Sequence, residues 1–360
     1  MKKICLIVPS LGQGGAEKVA LNLLNNLPLK KFDLNVIIIY KNKGEYFKNL
    51  RKNVNCVFLN KSKIRNSIFS LYRELKKMKP EIVLVFSFDL AILIGVFLRY
   101  FFKNIYFINR QLNILGQINF SILQFFFTKI AYKNFDKIIT QSKDMTEDLI
   151  QNIDININKI IEINNPIDYK NIYDLSIKYF PKEFDKKNKN LLCVGRLEPQ
   201  KGFDLVINIM RLFKDKNIKL YILGEGNQKE ALEKLIEIHK LTDRVFLLGR
   251  KENPYVYMKN ADLFILSSRY EGFPNALLEA NSCGLYAICN DSFGGINEII
   301  IDNINGNIVN FKNECLTQKI IEQKLKENKD KNQIINSVLK RYEIDIIIKK
   351  YIYLFDTIGN

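Results

Sequence analysis

Short β-type runs alternate with amphipathic helical stretches along this chain, and after one polar interruption the alternation begins again. In the first half, runs rich in Ile, Val and Phe fall at 4–8, 35–40, 55–59, 82–86, 105–109, 137–140 and 160–163, with helix-period segments between them. A helix between consecutive strands lets them lie parallel and covers both faces of the sheet, so the pattern predicts doubly wound α/β layers. From 166 to 189 the sequence turns polar, holds Pro166 and Pro181, and reads as a linker. The alternation resumes with LLCVG at 191–195 and continues through KLYILG, RVFLLG, DLFILS and LYAICN. A chain of 360 residues also exceeds one ordinary core. The expectation is two α/β domains, 1–165 and 190–331, with a helical tail at 332–360 that has no strand partner.

Several function classes fall on composition. The only histidine, His239, sits in LEKLIEIHKL and reads as a helix-surface residue, which removes Ser-His-Asp and Cys-His triads and any multi-histidine metal site. The six cysteines (Cys5, Cys56, Cys193, Cys283, Cys289, Cys315) show no C-x-x-C and no zinc spacing, as in a reduced, cytoplasmic protein. No secretory leader is expected, because the opening MKKICLIVPSLGQGG has a short apolar run that ends in a glycine turn. The apolar stretches LAILIGVFL (90–98) and FSILQFFF (120–127) fall short of the ~20 residues that span a bilayer.

Two loops can face an anion. SLGQGGAEKVALNLLNNL places Gly12, Gly14 and Gly15 between the first strand and a helix, a turn that brings backbone N–H groups toward phosphate or is simply tight. It is not the dinucleotide fingerprint, since Glu17 stands where the third glycine belongs and Lys41 where a ribose-binding acid would follow the second strand. LLCVGRLEPQKGFDLVINIM sets Arg196 and Lys201 after a strand and before a helix, where open α/β sheets bind ligands. Two cations there can bracket a diphosphate, Arg forking two oxygens and Lys acting as a point charge; a solvated basic loop is the plain alternative. In SSRYEGFPNALLEANSCG, Pro274 suits the first helical position, so the N–H groups of Asn275, Ala276 and Leu277 should face the helix start. Glu271 before that helix and Glu279 within it can accept hydrogen bonds from separate hydroxyls of one extended ligand. A glycosidase pair of carboxylates is the rival, and it leaves Arg196 and Lys201 unexplained.

The segments GGAE, VGRLEPQKG, ILGEGNQKEALE, VFLLGRKENPYVYMKNADLFILSSRYEGFPNALLEA and GGINEIIIDNINGNIV, in this order, resemble glycosyltransferase family 4. Glu271 and Glu279 match that family's E-x7-E element. The resemblance implies a GT-B fold: two Rossmann-like domains facing across a cleft, with sugar transfer from a nucleotide diphosphate donor, UDP above all. It implies that Arg196 and Lys201 hold the diphosphate, Glu279 the ribose, and Glu271 the hydroxyls of the transferred sugar. The loop of Gly272, Phe273, Pro274, Asn275 and Ala276 completes that site. Gly14 and Gly15 would approach the donor phosphate, Gly249 and Arg250 the base, and Gly224 the same rim. Retention of configuration without a metal is also implied, in keeping with the lack of a D-x-D. Many relatives carry a histidine after the strand that reads YFIN here, whereas this chain has Arg110 and Gln111, which could instead meet phosphate or acceptor. With no histidine base there, the leaving phosphate oxygen is expected to take the acceptor proton.

Net charge is +17, and it divides unevenly: residues 1–165 hold 25 Lys and Arg against 12 Asp and Glu, the remainder 30 against 26. Family 4 enzymes build the acceptor site mostly from the first domain, so the basic half is the acceptor half. KSKIRNSIFSLYRELKKMK (61–79) is a basic amphipathic helix that packs on the sheet or touches anionic headgroups. Aromatic segments at 97–107 and 120–127 could insert shallowly, although Phe-rich helices ordinarily serve the core. The expectation is a cytoplasmic, peripheral enzyme acting on a polyprenyl-diphosphate-linked saccharide. Rivals are a soluble acceptor, a dinucleotide-dependent oxidoreductase and, with no recognised motif, a basic nucleic-acid-binding protein. Lysine favoured by A/T-rich coding is a further source of the charge.

Overall fold

The computed structural model describes residues 1–12 and 14–358, and they divide into two compact units. Residues 1–166 and 344–360 make up the first; 167–343 make up the second.

The first unit is built on β1 (Lys2–Val8), β2 (Phe32–Tyr40), β3 (Asn55–Lys61), β4 (Ile82–Val85), β5 (Tyr106–Arg110), β6 (Lys137–Thr140) and β7 (Ile160–Glu162). They pair in the order β3-β2-β1-β4-β5-β6-β7, all parallel, with Lys2 opposite Phe32 and Val8 opposite Ile38. Side chains alternate across the sheet. Ile4, Leu6 and Val8 therefore face one core with Leu23 and Leu24 of helix Gly15–Asn26, while Cys5 and Ile7 face the other with Leu71 and Leu75 of helix Ile68–Met78. Both faces are apolar, which is why these strands read as unbroken hydrophobic runs.

The second unit repeats the plan with β8 (Lys189–Val194), β9 (Ile218–Leu223), β10 (Val245–Leu247), β11 (Leu263–Leu266), β12 (Ala287–Asn290) and β13 (Gly306–Val309), in the order β10-β9-β8-β11-β12-β13. In both sheets the strand order reverses beside the first strand, so its carboxyl end and that of its neighbour flank a switch point. The last strand, β13, was not among the expected ones. It is four residues of GNIV inside an Asn-rich loop, recognised as a strand only through its parallel pairing with β12.

Two boundaries differ from the sequence reading. The stretch 166–189 holds helix Tyr169–Ser176, and Ile172 and Phe184 are buried in the second unit's core. The stretch 332–360 is not one tail. Helix Lys331–Tyr342 packs Ile334, Val338 and Tyr342 into the second unit, and Arg341 donates to the carbonyls of Glu298 and Ile299. Helix Ile344–Thr357 belongs to the first unit, where Phe355 meets Phe32 edge-on at 5.8 Å and Lys2 Nζ donates to the Phe355 carbonyl at 2.9 Å. Both helices are amphipathic, so periodicity alone does not say which core each one covers.

Candidate active site

In the second unit, β8 and β11 lie side by side and their carboxyl ends carry the two loops that the sequence singled out. Residue Gly202 adopts a left-handed conformation, φ 60°, and any β-carbon there would run into the Ser267 carbonyl. That close approach locks the first loop onto the second. Ser267 Oγ donates to the Lys201 carbonyl at 2.9 Å, Arg269 N–H to the Gln200 carbonyl at 2.8 Å, and Gln200 Nε2 to the Tyr270 carbonyl at 3.0 Å. The guanidinium of Arg269 forks both oxygens of Asp204 at 2.9 and 2.6 Å, pinning the helix that follows.

This clamp brings Lys201 Nζ to 2.5 Å from Glu271 Oε1, and the same oxygen accepts from Ser268 Oγ at 2.6 Å. Glu271 is almost wholly buried. Arg196, largely exposed, meets Glu198 Oε1 at 2.9 Å. A lysine held by one carboxylate oxygen still has two N–H donors for a phosphate. The pair thereby fixes the direction of the cation without using it up.

Helix Asn275–Ser282 starts directly after the Glu271 loop, with Pro274 as its N-cap rather than its first residue, and the Leu277 N–H bonds the Pro274 carbonyl at 3.1 Å. Its amino end carries partial positive charge. Glu279 lies one turn in, at 3.5 Å from the Tyr255 hydroxyl. The Glu271–Pro274 loop is braced by its neighbour, as Gly295 N–H donates to the Gly272 carbonyl at 3.0 Å and buried Phe273 stacks edge-on with Tyr342 at 5.5 Å. Gly224 N–H donates to the Gly249 carbonyl at 2.9 Å and Leu197 N–H to the Glu225 carbonyl at 2.8 Å, so the Arg196, Gly224 and Gly249 loops form one rim beside which exposed Arg250 lies. Ser267, Ser268 and Glu198 were not anticipated. All three lie inside the segments that the sequence singled out, but none is a cation, a glycine or one of the paired acids that drew attention there.

Residues expected from the first half fall in the other unit. Gly14 caps helix Gly15–Asn26 with extended backbone. Arg110 is only 2% exposed: its guanidinium donates to Asn165 Oδ1 and, at 3.3 Å, to the Tyr351 hydroxyl, and it lies over the Phe86 ring. Helix Ile344–Thr357 thus supplies one of its two neutral partners, while Arg110 also lines a cavity with Phe88, Asn109, Gln111 and Tyr132. Gln111 is likewise buried, accepting from the Tyr132 hydroxyl. His239 Nε2 pairs with Asn208 Oδ1 at 2.9 Å, and burial pushes the Cys5, Cys193 and Cys289 thiols up, away from thiolate formation.

The pattern of the family described as "Glycosyltransferase Family 4" matches residues 13–171, and that of "Glycosyl transferases group 1" matches 177–341. An N-acetylgalactosamine-N,N'-diacetylbacillosaminyl-diphospho-undecaprenol 4-alpha-N-acetylgalactosaminyltransferase of Campylobacter jejuni subsp. jejuni serotype O:2 is 30% identical over 87% of each chain. The chain belongs to glycosyltransferase family 4. A second Campylobacter enzyme, named as a GalNAc-alpha-(1->4)-GalNAc-alpha-(1->3)-diNAcBac-PP-undecaprenol alpha-1,4-N-acetyl-D-galactosaminyltransferase, is 24% identical over the full length of both. Among solved structures, Anabaena HepE in complex with UDP-glucose superposes with a TM-score of 0.81 at 17% identity, covering 99% of this chain and 100% of that one. The fold of this family 4 glycosyltransferase is GT-B.

Proposed function

We propose that this family 4 glycosyltransferase moves a hexose or N-acetylhexosamine from a UDP-sugar to a polyprenyl-diphosphate-linked saccharide, with retention of configuration and without a metal. The observation that carries the reading is the Lys201–Glu271 pair beside Arg196 at the switch point of the second sheet. In it, Arg196 and Lys201 bind the diphosphate and neutralise the charge that grows on the leaving oxygen, as fixed donors do in other transfer reactions. Glu271 binds a hydroxyl of the sugar through its second oxygen while Oε1 holds Lys201, so sugar and diphosphate are positioned by one connected unit. Glu279 takes the ribose. No histidine is at hand to remove the acceptor proton, and the leaving phosphate oxygen receives it on the same face.

The lipid-linked acceptor is supported by the Campylobacter relatives, whose names specify diphospho-undecaprenol carriers. No helix among the described residues is long and apolar enough to cross a membrane; the proposal places the meeting with such an acceptor at the cytoplasmic membrane surface. The test is turnover of a panel of UDP-sugars with a short polyprenyl-diphosphate saccharide in detergent. Product from one UDP-sugar, abolished in Lys201→Ala, is expected; full turnover in that variant refutes the site.

A further inference from the structure

We infer that the first unit holds a preformed seat for the N-acetyl group of a hexosamine, a small cavity at the carboxyl end of β5 with the Asn109 side-chain amide at its floor. The class of ligand rests on the glycosyl-transfer reading above; the cavity and its unused donor do not.

After Asn109 and Arg110 end β5, the chain runs on through the loop 111–118. This loop is tied down from behind. Buried Asp148 accepts from the Leu115 N–H at 2.6 Å and the Gly116 N–H at 2.8 Å, and the Gln111 N–H donates to the Ile139 carbonyl at 2.9 Å. Between the loop, Phe88 and Tyr132 there remains a cavity of about 40 Å³. Its apolar wall is Phe88, Leu112, Leu115 and Ile118, and exposed Asn113 marks its mouth.

The polar wall is only partly used. Gln111 spends both ends within the protein, Oε1 accepting from the Tyr132 hydroxyl and Nε2 donating to the Asn113 carbonyl at 2.6 Å. Asn109 is 1% exposed, yet its Nδ2 has no hydrogen-bond partner among the described residues. The Tyr132 hydroxyl lies beside it, too far for a full hydrogen bond. A buried N–H left unmatched is costly, and such a donor calls for something to meet it.

Size selects the guest. One water needs ~10–15 Å³ of such space, so the cavity takes roughly three heavy atoms. That is an acetyl group and far too little for a sugar ring. The acetyl carbonyl would accept from Asn109 Nδ2, its methyl would lie against Phe88 and Ile118, and the ring would stay outside near Asn113. The amide N–H of the guest has an acceptor in the Tyr132 oxygen, which keeps its lone pairs while its proton goes to Gln111. Burial, and more weakly the Asp148 carboxylate, push that phenol up, so the proton stays.

Charge disfavours the main rival. A carboxylate, as on a uronic acid, has the same number of heavy atoms, but it would press against four apolar side chains and be repelled by Asp148, whose charge is felt at Tyr132. The Arg110 guanidinium is held by Asn165 and Tyr351 over the Phe86 ring.

The test is saturation-transfer NMR on the full-length protein with the methyl glycosides of N-acetylglucosamine and N-acetylgalactosamine, and methyl glucuronide as competitor. Saturation of the acetyl methyl protons of at least one N-acetyl glycoside is expected, with no displacement by an equal concentration of the glucuronide. The signal should fall about fivefold or more in Asn109→Leu and in Ile118→Phe, which fills the cavity from its half-buried edge. Ile118→Phe should keep the parent's unfolding curve, so the seat is tested even where Asn109→Leu fails to fold. Matched substrates then name the source of the group: UDP-N-acetylhexosamines against UDP-hexoses as donors, and polyprenyl-diphosphate saccharides ending in N-acetylhexosamine or in hexose as acceptors. The acetylated member of one pair should show a KM about tenfold lower, an advantage that both variants erase. No acetyl saturation in the parent, which means water only in the cavity, would overturn the inference. So would a signal undiminished in folded Ile118→Phe, displacement by the glucuronide, or equal KM values within both pairs. A protein that shows the acetyl signal but turns over no UDP-sugar refutes the transfer reading and leaves the seat standing. Turnover without the acetyl signal does the reverse.

Discussion

The two sheets share one strand order around their first strands, and yet they handle charge in opposite ways. At the end of β8, Arg196 and Lys201 are each met by a carboxylate, within a unit whose charges nearly balance. At the end of β5, Arg110 is buried among an amide, a phenol and a phenyl ring, with no acid among its hydrogen-bond partners. Most other cations of the first unit, such as Lys30, Lys41, Lys52 and Lys63, lie at its surface instead. On the proposed reading, a loop that receives and releases a dianion needs cations aimed but not consumed, and a paired lysine satisfies both demands. A cation that holds a helix in place can be sealed off with neutral partners, at a desolvation cost that two hydrogen bonds and a ring offset.

The largest effect that would break this contrast is at Lys201. Lys201→Ala should lower kcat for UDP-sugar turnover roughly 10²- to 10³-fold with an unchanged unfolding curve. Next comes Arg110→Leu, which removes the hydrogen bonds to Asn165 and Tyr351 and should cost the first unit about 2–4 kcal/mol in urea unfolding, while UDP protection of the second persists. A catalytic loss at unaltered stability would instead restore Arg110 to the site. Gly202→Ala forces a β-carbon toward the Ser267 carbonyl in a left-handed conformation and should destabilise the second unit by about 1–2 kcal/mol, with a rise in KM for the donor.

The smallest effect concerns Glu183. Burial pushes its carboxyl up, but the hydrogen bonds from Lys251 at 2.7 Å and the Tyr257 hydroxyl at 2.8 Å outweigh this and hold it below the ordinary carboxylate value. Its stabilisation is complete above the unfolded value near ~4.3 and is lost as pH falls through the lower, folded one. Glu183→Gln should therefore be about 1 kcal/mol less stable than the parent at neutral pH, and the gap should close in strong acid.

Much of the fold was readable because buried parallel strands are runs of Ile, Val and Leu, and those runs survive any choice of neighbour. The loops of Arg196, Lys201 and Glu271 were legible as motifs. Their junction was not, since Lys201 and Glu271 are 70 residues apart and meet only because β11 inserts beside β8. The setting of Arg110 was hidden for a related reason: its position after β5 is what a ligand contact would have, and helix Ile344–Thr357, more than 230 residues later, supplies the Tyr351 hydroxyl that holds its guanidinium. The exposure of Ile122, Leu123 and Phe126 was one of two readings that the sequence left open, because phenylalanine at helical spacing looks the same whichever way it points.

The helix that seals Arg110 has a consequence for how the protein is made. Synthesis runs from β1 onward, so the whole of the second unit, 167–343, is made before residues 344–357 are added. Until then Phe32, Leu23 and the Arg110 guanidinium lack their cover, and the earlier-born half waits on the later-born one. The second unit is in effect a self-contained parenthesis within the first. A released chain truncated after residue 343 should hold a finished second unit beside an unsealed first, the reverse of the order in which the two were begun.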